Sequence, residues 1–283
     1  MDAEIPIWQK LGSGLKLGLQ SCPDDLWLPE ADIFGDIQSR QHQIDLKNSL
    51  FEMQRDAVFL TSDQAMAASL ETCDLITDYA GTYLDPFHPL DLLHPLEAAA
   101  RHIPEDLVIL SPSVTADGAE QWILTAGAVA FPAHWFLADK MGTPMTMIHA
   151  PVPGYDSILD TAVNRFFSTM IPEKISCRHN WSLQLGGDLF TPHRNRRQSA
   201  TKMTGIDWIF LRVERQTLRK LPATGDILFT IRTSIQPLAL WQSVDGALAS
   251  LVTELEGMEP ALQHYKGVPL CYDAIKAAAR SLP

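Results

Sequence analysis

The stretch ISCRHNWSLQL, residues 175–185, alternates between two kinds of side chain along its whole length. The apolar or aromatic set is Ile175, Cys177, His179, Trp181, Leu183 and Leu185, and the residues between them are polar. Successive side chains of a β-strand point to opposite faces, so a period of two predicts a half-buried strand. Two further strands are predicted at 206–220 and 226–238, joined by a turn at 222–225.

Two apolar runs upstream, LVILSP (107–112) and QWILTAGAVAF (121–131), flank a turn signal at Asp117-Gly118 and predict a hairpin. Helices are predicted at 134–142 and 158–171, between this hairpin and the strand at 175. Short hairpin links favour an antiparallel sheet with helices on one face. The order strand, strand, helices, strand, strand, strand is that of a PAS-type domain. The sequence therefore predicts an α+β fold with a PAS-like antiparallel five-stranded sheet.

Helical patterns flank this core on both sides. Helices are predicted at 37–56 and 61–80, with a short one near LEAAARH (96–102), while the first 35 residues are mostly irregular. Two more helices are predicted after residue 238. We expect a mainly helical N-terminal extension (1–105), a PAS-like core (106–238) and C-terminal helices (239–283) that pack on the core as one unit.

Composition excludes several classes of function. The chain of 283 residues carries a net charge of −12, which disfavours binding to nucleic acid and to anionic membranes. Its longest apolar run, Trp122 to Trp135, is interrupted by Pro132 and His134 and is too short to cross a bilayer. No dinucleotide fingerprint, P-loop, HExxH or GxSxG motif is present.

The four cysteines, at 22, 73, 177 and 271, lie far apart in the sequence. Their spacing excludes a CxxC zinc site and a cysteine-held iron–sulfur cluster. Without a signal peptide, they predict a cytoplasmic protein with reduced thiols.

His149 is the first candidate for a ligand to iron. It lies in IHAPVPGY (148–155), where Pro151 and Pro153 stiffen the backbone. Imidazole is a common ligand of metals and of haem, and a rigid mount favours ligation. The alternative is that His149 caps a loop or forms a hydrogen bond in the core. His179 is a second ligand candidate or, alternatively, a core histidine.

Cationic residues recur on two adjacent predicted strands, LRVERQTLRK (211–220) and FTIRTSI (229–235). Arg212, Arg215 and Arg232 could bind carboxylates such as haem propionates, because guanidinium groups pair with carboxylates through two hydrogen bonds. Glu214 could orient these arginines or bind a cationic amine. The alternative is an exposed strand with alternating salt bridges, each of little energetic value.

Four segments together resemble the haem-dependent oxidative N-demethylase family, and within it the haem-carrying α-subunits of dimethylamine monooxygenases. They are ILSPSV (109–114), KMGTPMTMIHAPVPGY (140–155), RHNWSL (178–183) and LRVERQTLRKLPATGDILFTIRTSIQPL (211–238). The resemblance covers roughly residues 107–238. His134, in FPAHW (131–135), departs from the pattern expected for the family and is either incidental or a competing ligand.

The resemblance implies a PAS-fold enzyme that binds haem b and uses O2 to oxidise a small secondary methylamine, such as dimethylamine, with release of formaldehyde. Electrons would come from a separate reductase subunit carrying flavin and an iron–sulfur centre, and another subunit could pass formaldehyde to tetrahydrofolate. His149 would be the proximal ligand, and Glu214 and Tyr155 would face the distal or amine side. The alternatives are a PAS-type sensor that binds haem or another small ligand, and a scaffold subunit that has lost haem.

Overall fold

A seven-stranded antiparallel sheet organises the computed structural model, which describes residues 5–12, 14–90, 92–193 and 205–280. In these ranges the strands are β1 (Gln20–Cys22), β2 (Phe59–Thr61), β3 (Asp106–Val114), β4 (Glu120–Ala128), β5 (Ile175–Leu185), β6 (Ile209–Lys220) and β7 (Ile227–Pro237). Their order across the sheet is β1-β5-β6-β7-β3-β4-β2. The longest strands, β5, β6 and β7, are neighbours and form one half of the sheet.

The five predicted strands are all present, and the α+β class is confirmed. The prediction of five strands in the sheet is wrong in number, because β1 adds to β5 at one edge and β2 adds to β4 at the other. Each added strand has only three residues, which is too short to show a period of two. The hairpin of β3 and β4 forms as predicted, and Gly118 in its turn adopts a φ of +84°.

Ten α-helices surround the sheet in the described ranges. They are α1 (Ile7–Leu11), α2 (Gln38–Val58), α3 (Met66–Tyr83), α4 (Pro95–Ala100), α5 (Met145–Ile148), α6 (Tyr155–Ile158), α7 (Asp160–Thr169), α8 (Ala247–Glu256), α9 (Pro260–Tyr265) and α10 (Val268–Arg280). The helices predicted at 37–56 and 61–80 correspond to α2 and α3. The helix predicted at 158–171 corresponds to α7, which the short helix α6 precedes, and the C-terminal region holds three α-helices rather than two.

The helix predicted at 134–142 does not form. This segment contains only a short 3-10 helix, Leu137–Asp139, and His134 at its start has a φ of +64°. A positive φ is incompatible with a right-handed helix, so the apolar spacing of this segment reflects packing of a loop. Leu137 packs instead against Gly127 of β4, where a Cβ atom would lie 2.6 Å from a Leu137 methyl carbon.

Three apolar clusters connect the sheet to its helices. One joins α2, α3 and α4 to β3 and β4, and another joins α6 and α7 to β3 and β4 through residues such as Val108, Trp122 and Phe167. The third joins α1, α8 and α10 to β5 and β6, and Trp8 and Trp181 are fully buried in it. Both ends of the described chain therefore pack against the sheet that carries the candidate site.

No helix within the described ranges combines the length and the apolar character that crossing a lipid bilayer would require.

Candidate functional site

The register of the sheet separates the predicted site residues into two groups. Residues opposite each other in an antiparallel pair share a face, and neighbours along a strand alternate between faces. Glu214 lies opposite Asn180, so both are on one face together with Arg212. Arg215 lies between His179 and Arg232 on the other face. The seven predicted residues therefore do not line one common pocket.

His149 lies directly after α5, at the start of the turn that leads to Tyr155. Its Nδ1 donates a hydrogen bond to the carbonyl oxygen of Met145 at 3.0 Å, and its own carbonyl oxygen accepts from the Val152 N–H at 2.8 Å. Gly154 adopts a φ of +78°, which allows the chain to turn back. The rings of His149 and Tyr155 then stack, with centroids 4.3 Å apart and planes inclined by 9°.

The His149 ring has the protonation state that iron ligation requires. Burial lowers its pKa to about 4, and the positive charges of Arg178 and Lys140 act in the same direction. The imidazole is therefore neutral at pH 7. Because Nδ1 donates to Met145, the lone pair is on Nε2, and this arrangement is typical of metal-ligating histidines. The bond to Met145 makes His149 a cap at the end of α5, and ligation of iron through Nε2 stays a prediction.

Lowering the pH from 6.5 towards 4 should destabilise the fold through His149. An unfolded histidine has a pKa near 6.5, whereas folded His149 stays neutral until about pH 4. The unfolded state therefore binds more protons in this window, and stability falls by up to about 3 kcal/mol as the pH decreases. Urea denaturation at pH 7 and pH 5 measures the part of this loss that falls between those values, about 2 kcal/mol. In a His149→Gln variant the loss should be clearly smaller, and an unchanged pH dependence would contradict the assignment.

Tyr155 and Arg178 each have a buried donor that finds no hydrogen-bond partner in the described part of the chain. The Tyr155 side chain is buried, and its hydroxyl has no hydrogen-bond partner among the described residues. Burial raises the pKa of this phenol, so the hydroxyl keeps its proton at neutral pH. Arg178 Nε is also buried and has no partner in the same part of the chain. Each of these groups can donate a hydrogen bond to a ligand.

Glu214 lies on the same face of the sheet as Arg178. Its carboxylate accepts from Arg212 Nε at 3.2 Å and from Gln216 Nε2 at 3.1 Å, and its side chain remains 17% exposed. Gln216 is opposite Arg178 in the register, so the row Arg178, Gln216 and Glu214 is continuous across β5 and β6. Arg212, Arg178 and Lys266 offset the negative charge of Glu214, and amine binding by this carboxylate stays a prediction.

Lys266, which follows α9, is partly buried beside this row and was not predicted. Its Nζ donates to Asn180 Oδ1 at 3.2 Å and to the carbonyl oxygen of Trp181, and the ammonium lies 5.0 Å from the centroid of the Trp181 ring. Burial lowers the pKa of Lys266 to about 8, although the negative charge of Glu214 opposes this effect. No local sequence pattern identifies Lys266, because its partners are more than eighty residues away.

Protein groups contact the guanidinium groups of all three predicted propionate ligands, but Arg232 Nε and Nη1 have no hydrogen-bond partner among the described residues. Arg212 bonds to the carbonyl oxygens of Phe131 and Leu189 and to Thr233 Oγ1, at 3.3 Å for the last. Arg215 donates to the carbonyl oxygens of Trp27, at 2.9 Å, and Leu26.

Arg232 lies 3.6 Å from a Glu105 carboxylate oxygen and donates to Ser39 Oγ at 3.3 Å. These contacts attach loops and the N-terminal region to the sheet, and propionate binding by the three arginines stays a prediction.

His179 faces a different environment from His149. Its Nε2 is buried and has no hydrogen-bond partner in the described ranges. Burial lowers its pKa to about 4, with contributions from the charges of Arg215 and Lys10. The side chain lines a cavity of about 290 Å³ at the edge of β5. His134, by contrast, is an exposed loop residue with Nδ1 3.3 Å from the carbonyl oxygen of His193.

Among the described residues, no three His, Cys, Asp or Glu side chains converge as a metal centre. A haem iron takes four ligands from the porphyrin, so a single histidine is a sufficient protein ligand. The donor set around His149 therefore fits a haem better than a bare metal ion.

A comparison with family models matches residues 81–276, the region from α3 to α10, to the family described as "Haem-dependent oxidative N-demethylase, alpha subunit-like". This match contains every site residue predicted from the sequence and confirms the resemblance found there. It also extends that resemblance beyond residues 107–238 in both directions. Since it covers more than half of the sequence, the chain belongs to the haem-dependent oxidative N-demethylase alpha subunit-like family.

Proposed function

We propose that this protein is the haem-carrying subunit of an oxidative N-demethylase that acts on a small secondary methylamine such as dimethylamine. The observation that carries the proposal is the arrangement of His149, a neutral imidazole oriented by Met145 and stacked on Tyr155. Membership of the family supports haem dependence and oxidative N-demethylation. The order of the five central strands supports the PAS-like comparison made from the sequence.

His149 is proposed as the proximal ligand, through Nε2. The Nδ1 hydrogen bond to Met145 fixes the plane of the ring and increases the basicity of the ligating nitrogen. When bound, haem b would supply reductive activation of O2 and oxidation of an N-methyl group. The overall conversion is dimethylamine, O2, two electrons and two protons to methylamine, formaldehyde and water.

Glu214 is proposed to bind the amine, whereas Tyr155, whose ring stacks on His149, is proposed to hold the ligating imidazole in place. A secondary alkylamine is cationic at neutral pH, and a half-buried carboxylate attracts it more strongly than one in bulk water. Glu214 is oriented by Arg212 and Gln216, so its oxygens are fixed before the substrate binds. The Tyr155 hydroxyl, which keeps its proton, can donate a hydrogen bond to a neighbouring oxygen or nitrogen atom.

We further propose that the protein works in the cytoplasm with partner subunits. The family description as an alpha subunit supports an assembly of several chains. A reductase subunit with flavin and an iron–sulfur centre would deliver the two electrons, and a tetrahydrofolate-binding subunit could receive formaldehyde.

Expression with a haem precursor, followed by visible spectroscopy and a formaldehyde assay, tests this function. We expect a Soret band that shifts when the reduced protein binds CO, and formaldehyde release from dimethylamine with O2 and an artificial reductant. Glu214→Gln should keep the Soret band but raise the KM for dimethylamine by about tenfold or more, because it removes one charge-assisted contact.

Other outcomes distinguish the alternatives. If the protein shows a haem spectrum but releases no formaldehyde from any methylamine, it is a sensor rather than an enzyme. No Soret band after reconstitution with hemin would overturn haem binding and indicate a scaffold subunit.

A further inference from the structure

Two of the four cysteines lie side by side at one edge of the sheet, although they are far apart in the sequence. Cys22 is the last residue of β1, and Cys177 belongs to β5. In the antiparallel register of these strands, Gln20 lies opposite Cys177 and Cys22 lies opposite Ile175. Cys22 and Cys177 are therefore diagonal neighbours on one face of the sheet, and their thiol groups interact with each other.

A guanidinium group lies beside the Cys22 sulfur. Arg215 Nη2 donates to Cys22 Sγ at 3.2 Å, and Arg215 Nη1 donates to the carbonyl oxygen of Trp27 at 2.9 Å, so the guanidinium is held in place. A neighbouring cation favours the thiolate, which is the form that attacks another sulfur atom. Burial raises the pKa of the Cys22 thiol, and the positive charge of Arg215 opposes this effect. Arg215 therefore stabilises the thiolate of a cysteine that burial alone would make unreactive.

The two thiols differ in their access to solvent. Cys22 is 5% exposed, whereas Cys177 is only partly buried, so a small oxidant reaches Cys177 first. Cys73 and Cys271 are both buried, and no other thiol influences either of them. Cys22 and Cys177 are thus the pair in which oxidation of one thiol places it beside a second thiol.

We propose that Cys22 and Cys177 form an intramolecular disulfide between β1 and β5 when the protein meets hydrogen peroxide, with Arg215 stabilising the attacking thiolate. Peroxide oxidises the Cys177 thiol to a sulfenic acid and leaves as water. The Cys22 sulfur then attacks the Cys177 sulfur, the S–O bond breaks, and a second water leaves. One peroxide and two thiols give one disulfide and two waters, and two electrons pass from the sulfurs to the peroxide. The reaction does not require haem.

The geometry favours a reversible bond. Diagonal neighbours of an antiparallel pair typically have Cα atoms about 7–8 Å apart, whereas a relaxed disulfide joins Cα atoms roughly 4.4–6.8 Å apart. β1 must therefore shift on β5 as the bond forms, and it can shift because only three residue pairs hold it there. A disulfide formed under strain is easily reduced, which is typical of regulatory rather than structural disulfides.

Peroxide treatment of the reduced full-length protein, followed by peptide mapping without reduction, tests the pair. We expect a cross-link between the peptides that contain Cys22 and Cys177, and its removal by dithiothreitol. Cys271→Ala removes a buried thiol of α10 and is the matched control, in which the cross-link should form at an unchanged rate. Hydrogen–deuterium exchange of the β1 amides should be slower in the oxidised protein than in the reduced protein, because the disulfide holds this edge strand on β5.

Two variants separate the steps. In Cys22→Ala the sulfenic acid on Cys177 has no partner, so dimedone, which labels sulfenic acids, should label Cys177 more strongly than in the wild type. Arg215→Gln should slow cross-linking by about tenfold, because it removes a charge-assisted contact to the sulfur. Arg215→Lys keeps the positive charge and should restore most of the rate.

The proposal is overturned if peroxide gives no Cys22–Cys177 cross-link, or if the sulfenic acid on Cys177 persists in the wild-type protein. A cross-link between two copies of the chain, or oxidation of Cys73 as fast as that of Cys177, would equally contradict it. Equal cross-linking rates in the wild type and Arg215→Gln would refute the role of Arg215.

Discussion

Replacing His149 with glycine should produce a protein that folds but loses haem, with a hemin affinity reduced by about a hundredfold or more. The variant removes the neutral imidazole that the carbonyl oxygen of Met145 orients. Loss of a residue that merely orients a ligand typically costs 10–100-fold in metal affinity, so loss of the ligand itself should cost more (roughly a hundredfold or above). Hemin titration followed at the Soret band measures the effect.

The fold should survive this change. His149 is only partly buried, and it follows a helix of four residues rather than lying in the centre of an apolar cluster. Its main packing contact is the stacked ring of Tyr155, and an aromatic pair of this kind contributes about 1 kcal/mol. Circular dichroism and thermal unfolding of the variant without haem check that the protein remains folded.

Added imidazole provides the decisive control. If the glycine variant leaves a gap where the ring was, free imidazole should occupy it and restore the haem spectrum. His179→Gly is the matched substitution, since His179 is also a partly buried histidine with a pKa near 4. It should retain haem. Haem loss in His179→Gly together with retention in His149→Gly would transfer the ligand role to His179.

The sequence was sufficient to predict the long strands but not the sheet's edges. The prediction for β5 agrees with the structure at both ends, because the alternation continues without interruption from Ile175 to Leu185. β1 and β2 each contain three residues, and their pairing depends on long-range contacts such as Gln20 with Cys177. A short strand that forms because it pairs with a neighbouring strand shows no period of two in its own sequence.

Neighbours in the candidate site could be predicted where they lie close together in the sequence. His149 and Tyr155 are six positions apart in one proline-containing turn, and the structure stacks their rings. The surroundings of the arginines could not be predicted in this way, because Arg212 and Arg215 lie on one strand but point to opposite faces of the sheet. The contact of Arg215 with the carbonyl oxygen of Trp27 joins residues 188 positions apart. Arg178 stands among the polar residues in the alternation of β5, and no sequence pattern shows that its buried Nε lacks a partner among the described residues.

A second large effect is expected at Lys47 of α2, which is buried with no exposed surface. Its Nζ lies 3.5 Å from an oxygen of Asp106, which is 1% exposed, and donates to the carbonyl oxygen of Ile103 at 3.1 Å. Lys47→Met should lower the free energy of unfolding by about 3–5 kcal/mol, because it leaves the buried carboxylate without its counter-charge. Urea denaturation at pH 7 measures this loss. Lys276→Met, at a solvent-exposed ion pair with Glu256, should cost far less.

A double-mutant cycle then separates the ion pair from the packing of the lysine chain. The Asp106 carboxylate also accepts from the backbone N–H groups of Ala130 and Phe131, at 2.8 and 2.9 Å, so it fixes the end of β4 as well as α2. Asp106→Asn alone should therefore be destabilising. The lysine loses its counter-charge, and one of these backbone N–H groups then faces the side-chain NH2 of asparagine, which is also a donor. Lys47→Met should cost at least about 1 kcal/mol less in the Asp106→Asn background than in the wild type. Equal costs in the two backgrounds would show that Lys47 stabilises α2 through its carbonyl contacts and methylene packing, and that its charge contributes nothing.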